Sequence, residues 1–421
     1  MKLRIACATL AIGFLLCSGA ALAATTATTK KHAHAASSTS HAVSHRSGHA
    51  TVSHARIAQT RTHAVGKASV RAASTVVYRH GRRVVVSRRA VYEPKSAVSS
   101  FNPNLTMGDV VEGEDPVVRA AAIEALGNMN GTALAIDPNS GRILAMVNQK
   151  LALSAGAEPC STIKVAVALA GLKEGLITPD MQVNLGGRYS ENLTHALAHS
   201  VNAYFEVLGR ALGFERVKHY ANEFGLGELA GYNIAGEQLG VYPDHELPAA
   251  DGGVGRMCSF GESISMTPLQ LGALVSAIAN GGTLYYLQHP TTQTEAAVFQ
   301  PQVKRVLDIQ NVIPQVMPGM LGAVDFADGT ARSLRTNFVE FPVLGKTGTC
   351  SNNGTHYGWF VSYGNSPAGK IVTVIFLNGA RGMAGPKAAE LTGEFYRAMQ
   401  ERNYFAPKPV ETVPLQSAGG Q

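Results

Sequence analysis

The chain has 421 residues, 45% of them hydrophobic, with a formal net charge of +7. That is enough for one large globular body and excludes a wholly disordered polyelectrolyte. The charge is unevenly spread. Residues 24–100 hold nine Arg, four Lys, one Glu and no Asp, for +12; Lys2 and Arg4 add two, so residues 101–421 carry −7. The basicity therefore belongs to the N-terminal stretch and not to the body.

Lys2 and Arg4 precede an apolar run from Ile5 to Leu16, and Ala21-Leu22-Ala23 offers a small-x-small cleavage site. Residues 1–23 thus have the charge, length and cleavage chemistry of a secretory signal peptide. The run is shorter than the roughly 20 apolar residues of a membrane span. Export to the periplasm or cell envelope is expected, with cleavage after Ala23 favoured over an uncleaved anchor. Leu16 stands where lipoprotein processing at Cys17 wants a small residue. An exported chain has no reason to meet nucleic acid.

Residues 24–100 carry too few large apolar side chains to bury a core, and are expected to be a disordered basic tail. Eight of the chain's fourteen His lie here without ligand spacing, which reads as a solvated tether and not a metal site. Arg79-His80-Gly81-Arg82-Arg83, with Arg88-Arg89 beyond, would attract an anionic envelope polymer or lipid headgroup. Val84-Val85-Val86 suggests one short strand.

The texture of a globular domain runs over residues 101–406, with a second disordered tail at 407–421. Pro116–Leu126 reads as a helix with Asp115 as cap and Gly127 near its end. Thr132–Asp137 and Arg142–Val147 read as strands joined by the turn Asp137-Pro138-Asn139-Ser140-Gly141, hence an antiparallel hairpin. Lys164–Glu174, a largely helical stretch over Leu193–Leu212, and Pro268–Ala279 closed by Gly281-Gly282 form a helical middle. Leu344–Thr349, Gly358–Tyr363 and Ile371–Asn378 read as three strands, separated by Asn352-Asn353-Gly354 and Ser366-Pro367-Ala368-Gly369. A last helix covers Pro386–Arg402. Two strands, a large helical insertion and three more strands imply an α+β fold: one five-stranded antiparallel sheet assembled from both ends of the domain and flanked by helices.

Without the signal peptide three cysteines remain, Cys160, Cys258 and Cys350. At most one disulfide can form, leaving one thiol. Cys160 and Cys350 flank chemically suggestive segments, so they either pair in an oxidising compartment or fill core space as small thiols.

Those segments are Ser161-Thr162-Ile163-Lys164, Ser200-Val201-Asn202 and Lys346-Thr347-Gly348-Thr349. In order they spell S-x-x-K, S-x-N and K-T-G, a serine nucleophile with its activating groups and a backbone clamp for an acyl substrate. Lys164 lies one helical turn after Ser161, on the same face. Burial and a second cation, Lys346, would lower its pKa and free a lone pair for general-base work. Ser200 would relay the proton to the leaving amine. Asn202 shares no helical face with Ser200, so the motif needs a loop or a tight helix start, from which its amide would grip a substrate amide. Lys346 and Thr347 offer a cation and a hydroxyl to a terminal carboxylate. The backbone N–H groups of Ser161 and Thr349, beyond Gly348, would form an oxyanion hole. The chemistry calls for no cofactor or metal. Each motif alone has an ordinary structural reading as helix cap, solvated lysine or turn; their combination outweighs it.

With these residues in place the domain, over about residues 115–402, resembles the transpeptidase domain of penicillin-binding proteins. Further matches are Ala135 to Met146, Phe224-Gly225-Leu226-Gly227 with Gly236-Glu237, Ser265 to Leu271, Ile278 to Gly282, Gly329-Thr330-Ala331 and Gly358-Trp359-Phe360. The resemblance implies a D,D-transpeptidase that cross-links peptidoglycan stem peptides and is inhibited by β-lactams. Ser161 would attack the penultimate D-alanine carbonyl, expel the terminal D-alanine and pass the acyl group to an amine. The interval from Gln149 to Cys160 is shorter than is usual in larger relatives. Cys160 and Cys350 stand where other small residues are usual, and no folded domain precedes the body in the given sequence.

Three rivals share parts of this pattern. A serine β-lactamase, class D in particular, has the first and third motifs but a hydrophobic residue where Asn202 stands. A D,D-carboxypeptidase uses the same residues with water as acceptor. A non-catalytic β-lactam-binding or wall-associated module would be expected to lose a motif residue, and none is lost.

Overall fold

The computed structural model describes residues 74–79, 82–87 and 98–406. The expected signal peptide, most of the basic tail and the tail at 407–421 lie outside the described residues. The strand expected at Val84–Val86 lies in Arg82–Ser87, paired antiparallel with Ser74–Arg79 so that Val77 faces Val84.

In the body, Asp115 caps α1 (Pro116–Leu126) by accepting the backbone N–H groups of Val117 and Val118 at 2.9 and 3.1 Å, and Gly127 ends it. Strands β1 (Gly131–Asp137) and β2 (Arg142–Val147) follow as the expected hairpin. Its turn is locked by Asp137, whose carboxylate accepts from the Asn139 backbone N–H and the Ser140 hydroxyl, and by Gly141 at φ +75°. The chain returns much later as β3 (Val343–Asn352), β4 (Thr355–Ser366) and β5 (Gly369–Gly379). The sheet order is β2-β1-β5-β4-β3, all antiparallel, with β1 pairing β5 through Leu134 opposite Val374. The three late strands run longer than their apolar segments suggest. Asn353 and Gly354, both at positive φ, form the two-residue loop that continues the ladder to the end of β3.

Both sheet faces are covered. This is why β5 reads Ile371-Val372-Thr373-Val374-Ile375-Phe376-Leu377 without polar alternation. On one face Leu134, Ile136, Val374 and Phe376 pack under the helical insertion. On the other, Ala133, Ala135, Ile375 and Leu377 meet α1 and the last helix, Gly385–Glu401.

The insertion holds α2 (Lys164–Lys173), α3 (Leu193–Ala198), α4 (Asn202–Leu212), α5 (Phe214–Glu223), α6 (Gly253–Phe260), α7 (Pro268–Asn280) and α8 (Ile313–Asp325); the last helix is α9. Helix α7 starts on a capping box between Thr267 and Gln270 and is buried nearly throughout. A Cβ on its Gly272 would lie 2.7 Å from Ile136 Cδ1, so a larger residue would require that side chain to shift where the helix lies on the sheet. The largely helical stretch over Leu193–Leu212 is two helices, α3 and α4, separated at His199–Val201, in line with the loop or tight helix start that Ser200 and Asn202 call for. Helices α5, α6 and α8 have no counterpart in the sequence reading.

Candidate active site

Ser161 sits in a short 3-10 turn, Cys160–Ile163, that runs straight into α2. The turn is pinned from several sides. Thr162 Oγ1 donates to the Pro159 carbonyl at 2.7 Å, and the buried Trp359 donates Nε1–H to the Glu158 carbonyl at 3.0 Å. A Cβ on Gly348 would approach the Pro159 carbonyl oxygen to 2.8 Å. The glycine of K-T-G is thus what lets β3 come close to the serine turn. A disulfide between Cys160 and Cys350, Cα–Cα 5.7 Å, ties the two together, and Cys258 is the free buried thiol. Of the two arrangements left open for the cysteines, pairing is the one found.

Lys164, one turn past Ser161, is fully buried. Four oxygens surround its Nζ: Ser161 Oγ, Ser200 Oγ and the Ser200 carbonyl, each at 2.9 Å, and Asn202 Oδ1 at 2.6 Å. The carbonyl and the amide oxygen only accept, and they use both N–H bonds of a neutral amine. The lone pair is then left for a hydroxyl proton. Burial first and the nearby Lys346 second lower the Lys164 pKa to about 6, with Glu206 pulling the other way. The Phe205 ring lies 5.5 Å from Nζ, part of the apolar lining.

Ser200 occupies the break between α3 and α4 at φ +59°. A glycine normally takes this left-handed position at a helix end, and a serine there costs on the order of 1 kcal/mol. In return its hydroxyl lies between two lysines, 2.9 Å from Lys164 Nζ and 2.9 Å from Lys346 Nζ. Asn202 is the first residue of α4. The expected tight helix start is therefore what brings Ser200 and Asn202 to one amine.

Lys346 is buried on β3, and its amine donates to Ser200 Oγ and, at 3.1 Å, to the Thr347 carbonyl. Burial lowers its pKa to about 7. Thr347 Oγ1 bonds Thr330 Oγ1 at 2.8 Å, and Thr330 in turn reaches the Ala198 carbonyl at 3.3 Å. Thr349 is exposed, and its hydroxyl accepts the Gly385 backbone N–H at 2.8 Å. Because β3 is the edge strand of the sheet, its outer side is free to pair with an extended ligand. One connected set thus joins Ser161, Lys164, Ser200, Asn202 and Lys346. Thr347, Gly348 and Thr349 follow along the strand.

The model of the penicillin binding protein transpeptidase domain matches residues 131–397, more than half of the chain. The chain belongs to the penicillin-binding protein transpeptidase family. Among curated relatives of this family, stage V sporulation protein D of Bacillus subtilis is 26% identical over 63% of this chain and 48% of its own length. The peptidoglycan D,D-transpeptidase MrdA of Acinetobacter baumannii is 22% identical over 69% and 54%. The chain spans about half the length of the curated relatives it matches. Among solved structures, Pseudomonas aeruginosa PBP2, crystallised with WCK 5153, superposes with a TM-score of 0.60 at 24% identity, covering 73% of this chain and 79% of that one. That likeness is one of fold, and it agrees with the five-stranded antiparallel sheet.

Sequence reasoning gave no role to Thr330, Glu206 or Phe205. Thr330 lies in the quoted Gly329-Thr330-Ala331, a signal that was present without a spatial partner. Glu206 and Phe205 carry no sequence signal, because their relevance comes only from the turn of α4 that faces Lys164.

Proposed function

We propose that this chain is a peptidoglycan D,D-transpeptidase that works through an acyl-enzyme on Ser161. The observation that carries this reading is the Lys164 amine, buried beside Ser161 Oγ at 2.9 Å with its pKa lowered to about 6. A neutral lysine with its lone pair facing a serine hydroxyl is a general base ready at neutral pH. The relatives named as peptidoglycan transpeptidases support the substrate class.

In this reading a stem peptide lies along the free edge of β3, its terminal carboxylate toward Lys346 and Thr347. Ser161 passes its proton to Lys164 and attacks the penultimate D-alanine carbonyl. Backbone N–H groups of Ser161 and Thr349 hold the oxyanion, at about 3 kcal/mol per donor. The proton moves from Lys164 through Ser200 to the departing D-alanine nitrogen, with Lys346 keeping the relay polarised. Asn202, whose Oδ1 is taken by Lys164, keeps its NH2 group for the substrate amide. An acceptor amine then attacks the ester, releases Ser161 and forms the cross-link; water in its place gives carboxypeptidase action. β-Lactams acylate the same serine. Such a substrate lies outside the cytoplasm, which fits the expected export signal. The basic tail would hold an anionic envelope polymer or lipid.

The test is labelling of the full chain with a fluorescent penicillin beside Ser161→Ala. A stable adduct on the wild type and none on the variant is expected. Rapid loss of label would favour a β-lactamase, and absence of any label would overturn the reading.

A further inference from the structure

Two cavities of about 450 and 460 Å3 adjoin one another, and Tyr232 and Asn233 line both. Each is large enough for a small ligand, and together they make one groove that passes the Tyr232 ring. Phe299 stands in the first cavity and Tyr286 in the second, its ring 5.8 Å from that of Tyr232. The turn that carries Tyr232 is well tied. Its backbone N–H donates to the Leu287 carbonyl at 2.8 Å, and the Glu237 carboxylate accepts the N–H groups of Ala230 and Gly231. Tyr232 is nonetheless 45% exposed, a large ring on a fixed backbone left half open to solvent.

The ionisable groups of the groove are already engaged. His289 bonds Glu114 at 2.9 Å, Glu295 accepts the backbone N–H and the hydroxyl of Thr291, and Lys304 pairs with Glu228 at 2.6 Å and donates to the Leu229 carbonyl. What remains for a ligand is carboxamide. Among the described residues the side-chain amides of Asn233, Gln300 and Gln302, all lining the first cavity, have no hydrogen-bond partner. A carboxamide both donates and accepts, and an aromatic face packs against an apolar one. A phosphate or carboxylate finds no unpaired cation in this groove. A neutral sugar ring, with an apolar C–H face, a rim of hydroxyls and an acetamido arm, matches the rings and the amides together.

The groove lies apart from the acyl site. Gln288, which lines the first cavity, donates its backbone N–H to the Gly141 carbonyl at 2.9 Å and accepts that of Ile143 at 2.8 Å, so it rides on the start of β2. Strands β2 and β3 are the opposite edges of the sheet, four spacings of about 4.8 Å or roughly 19 Å apart. A stem peptide laid along β3 runs parallel to the strands and gains no distance across the sheet, so the sugar that carries it stays on the β3 side. We infer that the groove binds a stretch of glycan built from N-acetylated amino sugars, separate from the one whose stem peptide occupies the cleft, and so holds the enzyme on the polymer it cross-links. The inference rests on the transpeptidase reading for the choice of polymer and extends it to a second site.

The experiment titrates the full chain, by calorimetry, with three β-1,4-linked hexasaccharides that differ only in the group on one ring carbon: those of N-acetylglucosamine, glucosamine and glucose. The N-acetylated sugar should bind at least about tenfold more tightly than either other, the worth of one or two hydrogen bonds to its acetamido groups. Tyr232→Ala and Asn233→Ala, both at exposed positions, should each weaken that binding at least about tenfold and leave the rate of penicillin acylation within about twofold. Absence of binding, equal binding of the three sugars, or binding unchanged in both variants would overturn the inference. So would tighter binding of a proline-rich peptide, the other ligand that aromatic grooves take, or loss of acylation in both folded variants, which would make the groove part of the acyl site. If one variant fails to fold, the other decides, and if both fail the contrast among the three sugars decides. A wild type that binds the N-acetylated sugar but takes no penicillin label would instead bring down the transpeptidase reading and leave the sugar site standing.

Discussion

A single buried amine organises the site. The S-x-x-K spacing foretells that Ser161 and Lys164 share a face; the lowered pKa comes first from burial and then from Lys346 on a strand 182 residues later, a meeting that the motifs suggest only when taken together. The pH dependence follows from this arrangement. Protonated Lys164 cannot accept the serine proton, so penicillin acylation should rise with pH through about 6. Removing the neighbouring cation lets Lys164 keep its proton longer, so Lys346→Met should move that rise to higher pH, read from acylation rate constants across pH 4.5–9. A limb that stays in place would show that Lys346 does not tune the base. Ser200 permits a second prediction. Glycine suits φ +59° better than serine, so Ser200→Gly should fold normally by circular dichroism yet lose acylation by on the order of 10²-fold, as expected when a proton relay is removed.

At the scale of elements, amphipathic pattern and punctuation are enough for α1, the β1–β2 hairpin, α7 and α9, because cap, turn and apolar run agree locally. The break between α3 and α4 is a different case. Leu193 to Leu212 has helix-forming residues on both sides, and no Gly or Pro marks Ser200 as a stop. What stops the helix is the pull of two lysine amines and the start of α4 at Asn202, contacts made by α2 and β3. Helix α8 gives no plain helix signal either: it holds Pro318 in its interior and Pro314 in its first turn, where proline is tolerated. The link between the serine turn and β3 is likewise an element-level device. Cys350→Ser removes a cross-link across 190 residues, for which chain entropy suggests a loss of roughly 3–5 kcal/mol. Reductant should lower the wild-type thermal midpoint to that of the variant and leave the variant unmoved; equal midpoints throughout would show that the cross-link is idle.

For the whole molecule, composition divides a basic stretch from an acidic body, and the body accounts for the site. The boundary falls slightly before residue 100. Asn130 Nδ2 donates to the Ser99 carbonyl, and Ser100 Oγ accepts the Ala380 backbone N–H at 2.8 Å. Removing residues 24–97 should therefore leave penicillin acylation within about twofold, since every residue of the site lies in the body from residue 98 onward, while weakening retention in the cell envelope by fractionation. Collapse of acylation would place that segment in the fold.

The motifs, the strand and helix types and the fold class were legible in the amino-acid order, because they rest on local chemistry: periodicity, caps, turns and a few residues at short spacing. Tertiary structure alone decided that Cys160 pairs with Cys350 and that Thr330 bonds Thr347. Those are contacts between segments 17 to 190 residues apart. Their strength comes from burial, and burial is set only when the sheet closes and brings both ends of the chain around one serine.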